Sequence, residues 1–163
     1  MEWRKYNNYL ISSTGEIKSL ITNKIMKQYV SNVGYPAVRL TLEPKKTKLF
    51  HVHQLIAIVY LDYFAESGLV VDHINNIKTD NRLENLQIIS RRLNNTKELT
   101  GKIKYPGVQQ DKGRRHYRAR IKIDGKYKSL GSFLSQEAAY AAYMRALKTV
   151  DLQAYKYYKH NIK

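Results

Sequence analysis

Asp72 and His73 stand side by side at the end of the apolar pair Val70-Val71, and Asn75 and Asn76 follow closely. A carboxylate next to an imidazole either closes a loop as a hydrogen-bonding pair, or holds a metal and a proton acceptor at one phosphate. Hydrolysing a phosphodiester needs a base to activate water, a cation to neutralise the phosphorane, and fixed geometry. An unperturbed histidine, with a pKa of about 6.5, is largely neutral at cytoplasmic pH and can accept that proton. Successive strand residues face opposite sides. A regular strand therefore cannot aim both side chains at one site, and one of them must sit at the strand end or in a bulge.

The elements that must carry the pair follow from pattern and punctuation. Residues 1–44 hold short β-like patches broken by Gly15, Gly34 and Pro36, which predicts hairpins. Residues 49–63, LFHVHQLIAIVYLDY, are apolar over a length that suits a helix better than a strand. Residues 69–97 read as strand, polar loop, strand (NLQII) and a short helix opened by Ser90, a favoured N-cap type. The polar stretch TGKIKYPG at 100–107 reads as a junction, after which strands are followed by an alanine-rich helix. Three segments result, 1–46, 47–99 and 100–163, in an α+β chain. His51 and His53 share a face if they lie on a strand, but the apolar run after them predicts a helix start. Both are set outside the site as buried or capping residues.

Charge narrows the partner. The 163 residues carry 29 Lys and Arg against 13 Asp and Glu, a net charge of +16. So much like charge repels itself and is best placed beside a polyanion, with nucleic acid first and an anionic membrane surface second. No apolar run approaches the roughly 18 residues of a membrane span, and the N-terminus lacks a signal-peptide core. The absence of cysteine excludes disulfides and thiolate zinc sites. A cytoplasmic, polyanion-facing protein is expected.

The whole stretch 70–97, VVDHINNIKTDNRLENLQIISRRLNNTK, resembles the HNH endonuclease motif in its phage and intron homing variant. The matching residues are Asp72-His73, the triplet Asp80-Asn81-Arg82, Asn85-Leu86 and Asn94. The resemblance implies a ββα unit gripping one divalent ion. It makes His73 the general base, Asp72 a metal ligand, Asn85 a brace of the inter-strand loop, and Asn94 the second metal ligand, with Asn95 in its place if the register slips by one. One carboxylate and one amide oxygen form a hard, incomplete ligand set, which favours Mg²⁺ or Mn²⁺.

Half of the net charge lies in residues 101–134, where ten Lys or Arg face two Asp. Asp124-Gly125 between two alternating runs is a strong two-residue hairpin signal. Such a turn pairs Lys122 with Tyr127 and Arg120 with Ser129 on one face. Arg118 joins that face by period two, so three cations line about 14 Å of strand. Ala119 and Ile121 take the other face, against Ala138, Ala139 and Ala142. A β-ribbon fits the major groove, where arginine grips guanine with two bonds. Gln109 joins from the preceding strand, and Arg114 and Arg115 in the turn suit phosphates. The alternative is a solvated strand face kept soluble by its cations.

Residues 105–161 also resemble the plant ethylene-response-factor (APETALA-type) DNA-binding domain. Its marks here are Gly107-Val108, Leu130-Gly131-Ser132-Phe133 and Glu137-Ala138-Ala139. That resemblance implies three antiparallel strands on one helix, with the sheet in the major groove. Trp3, Ser12, Gly15, Ile17 and Ser19 resemble the small N-terminal module of homing nucleases. Together these resemblances imply a metal-dependent endonuclease that binds double-stranded DNA, as a monomer or dimer, and nicks one strand per monomer. A DNA-binding regulator with a degenerate HNH unit is the alternative.

Overall fold

The structure, a computed structural model, describes residues 1–97, 104–110, 113 and 115–161. It is α+β and divides into two compact units, Met1–Ile89 and Ser90–Lys163. Among the described residues no helix is long and apolar enough to cross a membrane.

In the first unit, β1 (Trp3–Tyr6), β2 (Tyr9–Ser12) and β3 (Ile17–Ser19) form an antiparallel sheet in that order. A second antiparallel sheet joins β4 (Tyr29–Val30), β5 (Pro36–Glu43) and β6 (Lys46–His51). Strand β6 runs straight into α1 (Val52–Tyr60). The apolar run 49–63 is thus split: its first three residues finish a strand, and the helix is shorter than its hydrophobicity predicts. A continuous apolar run does not mark that change, because strand and helix here both bury into one core. Then come β7 (Leu69–His73) and β8 (Leu86–Ser90), which form a two-stranded sheet.

Ile11 and Ile17 of the N-terminal sheet share one buried cluster with Val38, Leu40, Leu55 and Leu86. The first sheet therefore shares one core with β5, α1 and β8. Full burial of each such side chain stabilises by about 1.5–3 kcal/mol. Tyr60 ties the same elements together by donating its hydroxyl hydrogen to the Ile11 carbonyl at 2.9 Å.

The second unit begins with α2 (Arg91–Lys97). Ser90 caps it, its hydroxyl oxygen accepting from the Leu93 amide at 3.1 Å. A three-stranded antiparallel sheet follows, β9 (Val108–Gln110), β10 (Tyr117–Ile123) and β11 (Lys126–Phe133), with β10 central. Helix α3 (Gln136–Val150) packs on it through Ala139 and Ala142 against Ala119. Ala138, expected in that contact, is exposed instead. The face that packs is 139, 142, 143 and 147, the three- and four-residue spacing of a helix, and position 138 lies about 100° away from Ala139.

A fourth helix, α4 (Leu152–Asn161), adds to the single helix expected from sequence. Asp151 makes the break: one carboxylate oxygen accepts from the Ala154 amide at 2.9 Å, and the other from the Ser90 hydroxyl at 2.6 Å. Tyr158 reaches from α4 to the Thr96 hydroxyl at 2.6 Å, so α2 and α4 are tied at both ends.

Candidate active site and basic sheet

His73 is the last residue of β7, so Asp72 and His73 fall where the strand gives way to a loop. Both are buried, with relative exposures of 7% and 4%. They turn to different partners, as the two-residue period of a strand requires. Asp72 accepts from the Gln87 side-chain amide of β8 at 2.7 Å. The His73 Nε2 lies 3.0 Å from the Asn81 amide oxygen.

The loop between the two strands is organised around Asn85. Its side-chain oxygen accepts from the Asn75 backbone amide at 3.1 Å. Its side-chain amide donates to the Asp80 carbonyl at 2.7 Å and to the Asn75 side-chain oxygen at 3.0 Å. One buried amide thereby closes a ten-residue excursion, and the Ile74 amide adds a bond to the Asn85 carbonyl at 2.8 Å. Outside this brace, Arg82 pairs with Asp80 at 2.8 Å and with Glu84 at 2.8 Å. The Arg82 guanidinium holds the Asp80 carboxyl below the usual carboxylate range.

Around His73 lies a cluster of rings. Tyr35 stacks on it with centroids 5.9 Å apart, and His53 meets it edge-on at 5.1 Å. His51 stacks on His53 at 5.6 Å, and Tyr35 also touches His53 at 4.6 Å. His51 ends β6 while His53 is the second residue of α1, so the strand-to-helix junction brings both rings to one side. Among the described residues, no group of three His, Asp or Glu side chains is placed to hold a metal ion. A site here has one buried carboxylate to offer. That suits a magnesium-like ion, which keeps several waters and needs only one or two carboxylates.

His53 is buried, and its Nδ1 has no hydrogen-bond partner among the described residues. Burial, then repulsion from His73 and His51, pushes its pKa down from 6.5 to about 3. As pH falls below about 6.5, the unfolded chain takes up a proton at this position that the folded chain refuses. Stability should therefore drop as pH moves from about 6.5 toward 3, by up to about 1.4 kcal/mol per pH unit from this group. The groups facing it are His51, His73 and Tyr35, with the Lys78 ammonium 5.0 Å over the Tyr35 ring. Urea midpoints measured from pH 7 to pH 4 should fall less steeply in His53→Phe than in the wild type; parallel slopes would refute the assignment.

In the second unit, Asn94 lies half-buried on α2 and Asn95 is exposed. On the basic sheet the register pairs Lys122 with Tyr127 and Arg120 with Ser129. Beyond them the ladder slips at Leu130, so Arg118 faces Ser132 rather than Gly131. A bulge of this kind adds twist but keeps the outward side chains of the regular strand on one face. Arg118 and Lys122 are exposed and Arg120 is half-exposed, while Ala119 and Ile121 are buried behind them. Gln109 on β9 stands opposite Arg118, and Arg115 is exposed in the turn before β10. Arg114 lies outside the described residues. Tyr127 is 64% exposed, with the Arg120 guanidinium 4.4 Å and the Lys122 ammonium 5.8 Å from its ring centre.

Asn81, Gln87 and Tyr35 had no role in the sequence reading. Asn81 carried a signal, since it sits inside the Asp80-Asn81-Arg82 triplet. Gln87 carried a weaker one, a long polar residue inside the apolar strand LQIIS. Tyr35 carried none, because only the fold brings it to His73.

Residues 50–96 match the family model described as HNH endonuclease. The DNA endonuclease I-HmuI of Bacillus phage SP01 is 35% identical over 98 residues, 58% of this chain and 55% of that protein. The H-N-H endonuclease F-TflI of Escherichia phage T5 is 33% identical over 85 residues, 51% of this chain and 43% of that one. The chain spans about half the length of the curated relatives it matches. A solved structure described as DNA binding and cleavage by the HNH homing endonuclease I-HmuI aligns with a TM-score of 0.55 and 27% identity, over 85% of this chain and 81% of that one. The stretch that holds Asp72, His73, Asn81, Asn85 and Asn94 thus matches the HNH endonuclease model and is similar to phage HNH endonucleases.

Proposed function

We propose that the chain is a metal-dependent DNA endonuclease of the homing type, which hydrolyses one phosphodiester bond of a duplex held by its basic sheet. The observation that carries this reading is the buried Asp72-His73 pair at the end of β7, inside the segment that matches the HNH endonucleases.

The His73 imidazole accepts a proton from water as that water attacks phosphorus. The bond from phosphorus to one bridging oxygen then breaks and the departing oxygen takes a proton from solvent water, leaving a phosphomonoester end and a hydroxyl end. Asp72 serves as the carboxylate ligand of one Mg²⁺ or Mn²⁺, its orientation fixed by the Gln87 amide. Asn94 serves as the second oxygen donor, an assignment that rests on its place in the motif. The ion supplies positive charge against the charge that builds on the phosphate. Asn85 does no chemistry; it holds the loop that follows His73. One such centre addresses one strand, so a monomer nicks.

Duplex binding falls to Arg118, Arg120, Lys122 and Tyr127, with Gln109 beside them and Arg114 and Arg115 on phosphates. The sheet face has the period and charge for a major groove, in the manner of the ethylene-response-factor domain. Arg120→Ala should weaken binding to the preferred duplex by roughly 5–150-fold, the value of one two-bond guanine contact at about 1–3 kcal/mol. Binding to arbitrary sequence should change far less. Affinity should also fall steeply with salt, by about 0.9 log unit per log unit of salt for each phosphate engaged. Competition binding with specific and random duplexes measures both; equal losses on the two would make Arg120 a phosphate contact.

The test of the whole reading is nicking of supercoiled plasmid with Mg²⁺ and with EDTA. Conversion to open circle with the ion and not with the chelator is expected. Tight duplex binding with no conversion under either condition would leave a non-catalytic DNA-binding protein.

A further inference from the structure

We propose that Asn81 is a positioning residue for His73: its amide oxygen keeps the imidazole proton on Nε2, so that Nδ1 carries the lone pair that accepts the proton from water. This rests on the endonuclease reading above and names the working atom within it.

An amide oxygen only accepts hydrogen bonds, so with the Asn81 oxygen turned toward it the ring nitrogen 3.0 Å away is assigned the hydrogen. A neutral imidazole has one N–H, and placing it on Nε2 leaves the lone pair on Nδ1. Both partners are buried, His73 at 4% and Asn81 at 6% exposure, so water does not compete for the bond. Breaking it would strand two polar atoms out of water, which is what makes the tautomer preference strong.

Asn81 is itself held from three sides. The Asp80 carbonyl just before it accepts from the Asn85 side-chain amide at 2.7 Å. The Leu83 amide two residues on donates to the Ser13 carbonyl at 2.8 Å. Gly15 comes so close that a Cβ there would meet the Asn81 Cβ at 3.4 Å, and the Gly15 carbonyl is fixed by the Gln28 side-chain amide at 2.7 Å. The turn between β2 and β3 is thus the backstop of the residue that orients the base. That gives the N-terminal sheet a part in the chemistry.

The experiment uses the full chain, ¹⁵N-labelled, and long-range ¹H–¹⁵N correlation spectra of the histidine rings at mildly alkaline pH, with His73 assigned through His73→Ala. The wild type should show protonated Nε2 and unprotonated Nδ1 at His73. Asn81→Leu, similar in size but without an acceptor, should give mixed tautomers and cut the single-turnover nicking rate at least about tenfold. Its duplex affinity should stay within about twofold. Asn81→Asp, which keeps an acceptor, should restore the Nε2–H form and most of the rate.

A wild-type spectrum with the proton on Nδ1 overturns the assignment, and it does so even if Asn81→Leu fails to fold. A folded Asn81→Leu with the wild-type tautomer and rate overturns it too. If the wild type does not nick at all, the endonuclease reading fails and takes the catalytic purpose of Asn81 with it. A wrong tautomer in a protein that does nick removes Asn81 alone.

Discussion

Replacing His73 with alanine is expected to lower DNA cleavage by about 10²–10⁴-fold, the usual contribution of a positioned general base, while duplex affinity stays within about twofold. The two readouts separate because of where the side chain lies. His73 is 4% exposed and spends its Nε2 on Asn81, so it offers little surface to a duplex. The cations proposed to grip DNA sit in the other compact unit, on β10. Truncating a ring packed between Tyr35 and His53 also leaves a void, and some loss of stability is expected with it. His73→Gln, which fills more of that space but has no imidazole, controls for the void: it should be as inactive as His73→Ala yet melt closer to the wild type. Cleavage and affinity falling together in both variants would mean that His73 holds the fold or the DNA rather than the proton.

How much of this was legible in the sequence depended on whether a local rule or the whole fold decided the matter. Asp124 and Gly125 both take positive φ, 47° and 79°, which is the turn that a two-residue hairpin demands. A local turn fixes a local register, so the pairs 122–127 and 120–129 could be read directly. The slip at Leu130 could not, because a bulge answers to packing behind the sheet. Likewise, strand geometry alone required Asp72 or His73 to lie at a strand end or in a bulge, and His73 ends β7. The motif spacing also brought out Asn85, whose three hydrogen bonds close the loop. The sequence did not reveal that Ile11 and Ile17 share a core with α1, nor that His53 would end up buried against His73. Those contacts join residues dozens of positions apart, and no periodicity encodes them. The break at Asp151 between α3 and α4 was hidden for another reason. Aspartate is an unremarkable residue in a helical run until its carboxylate finds the Ala154 amide and the Ser90 hydroxyl.

Gly107→Ala should destabilise the second unit by about 2–5 kcal/mol, because of what surrounds one hydrogen atom. A Cβ at this position would stand 2.2 Å and 2.3 Å from two carbons of the Tyr143 ring. The ring cannot step aside: Tyr143 is buried, stacked toward Tyr140 at 6.3 Å and Tyr158 at 6.5 Å. The backbone cannot retreat without cost either, because the Gly107 carbonyl accepts from the Arg120 amide at 2.9 Å. Overpacking of this kind costs about 1–3 kcal/mol. The left-handed φ of 76° adds about 1–2 kcal/mol for any residue with a Cβ. Gly125→Ala isolates the second contribution. It has nearly the same φ, 79°, but nothing within 4 Å of the added methyl, so about 1–2 kcal/mol is expected there. Hydrogen exchange of amides in β10 and α3 should show Gly107→Ala losing more protection than Gly125→Ala, with specific duplex affinity lost in step. Equal protection in the two variants would mean that Tyr143 has room to move, and that the sheet is not held against α3 by this contact.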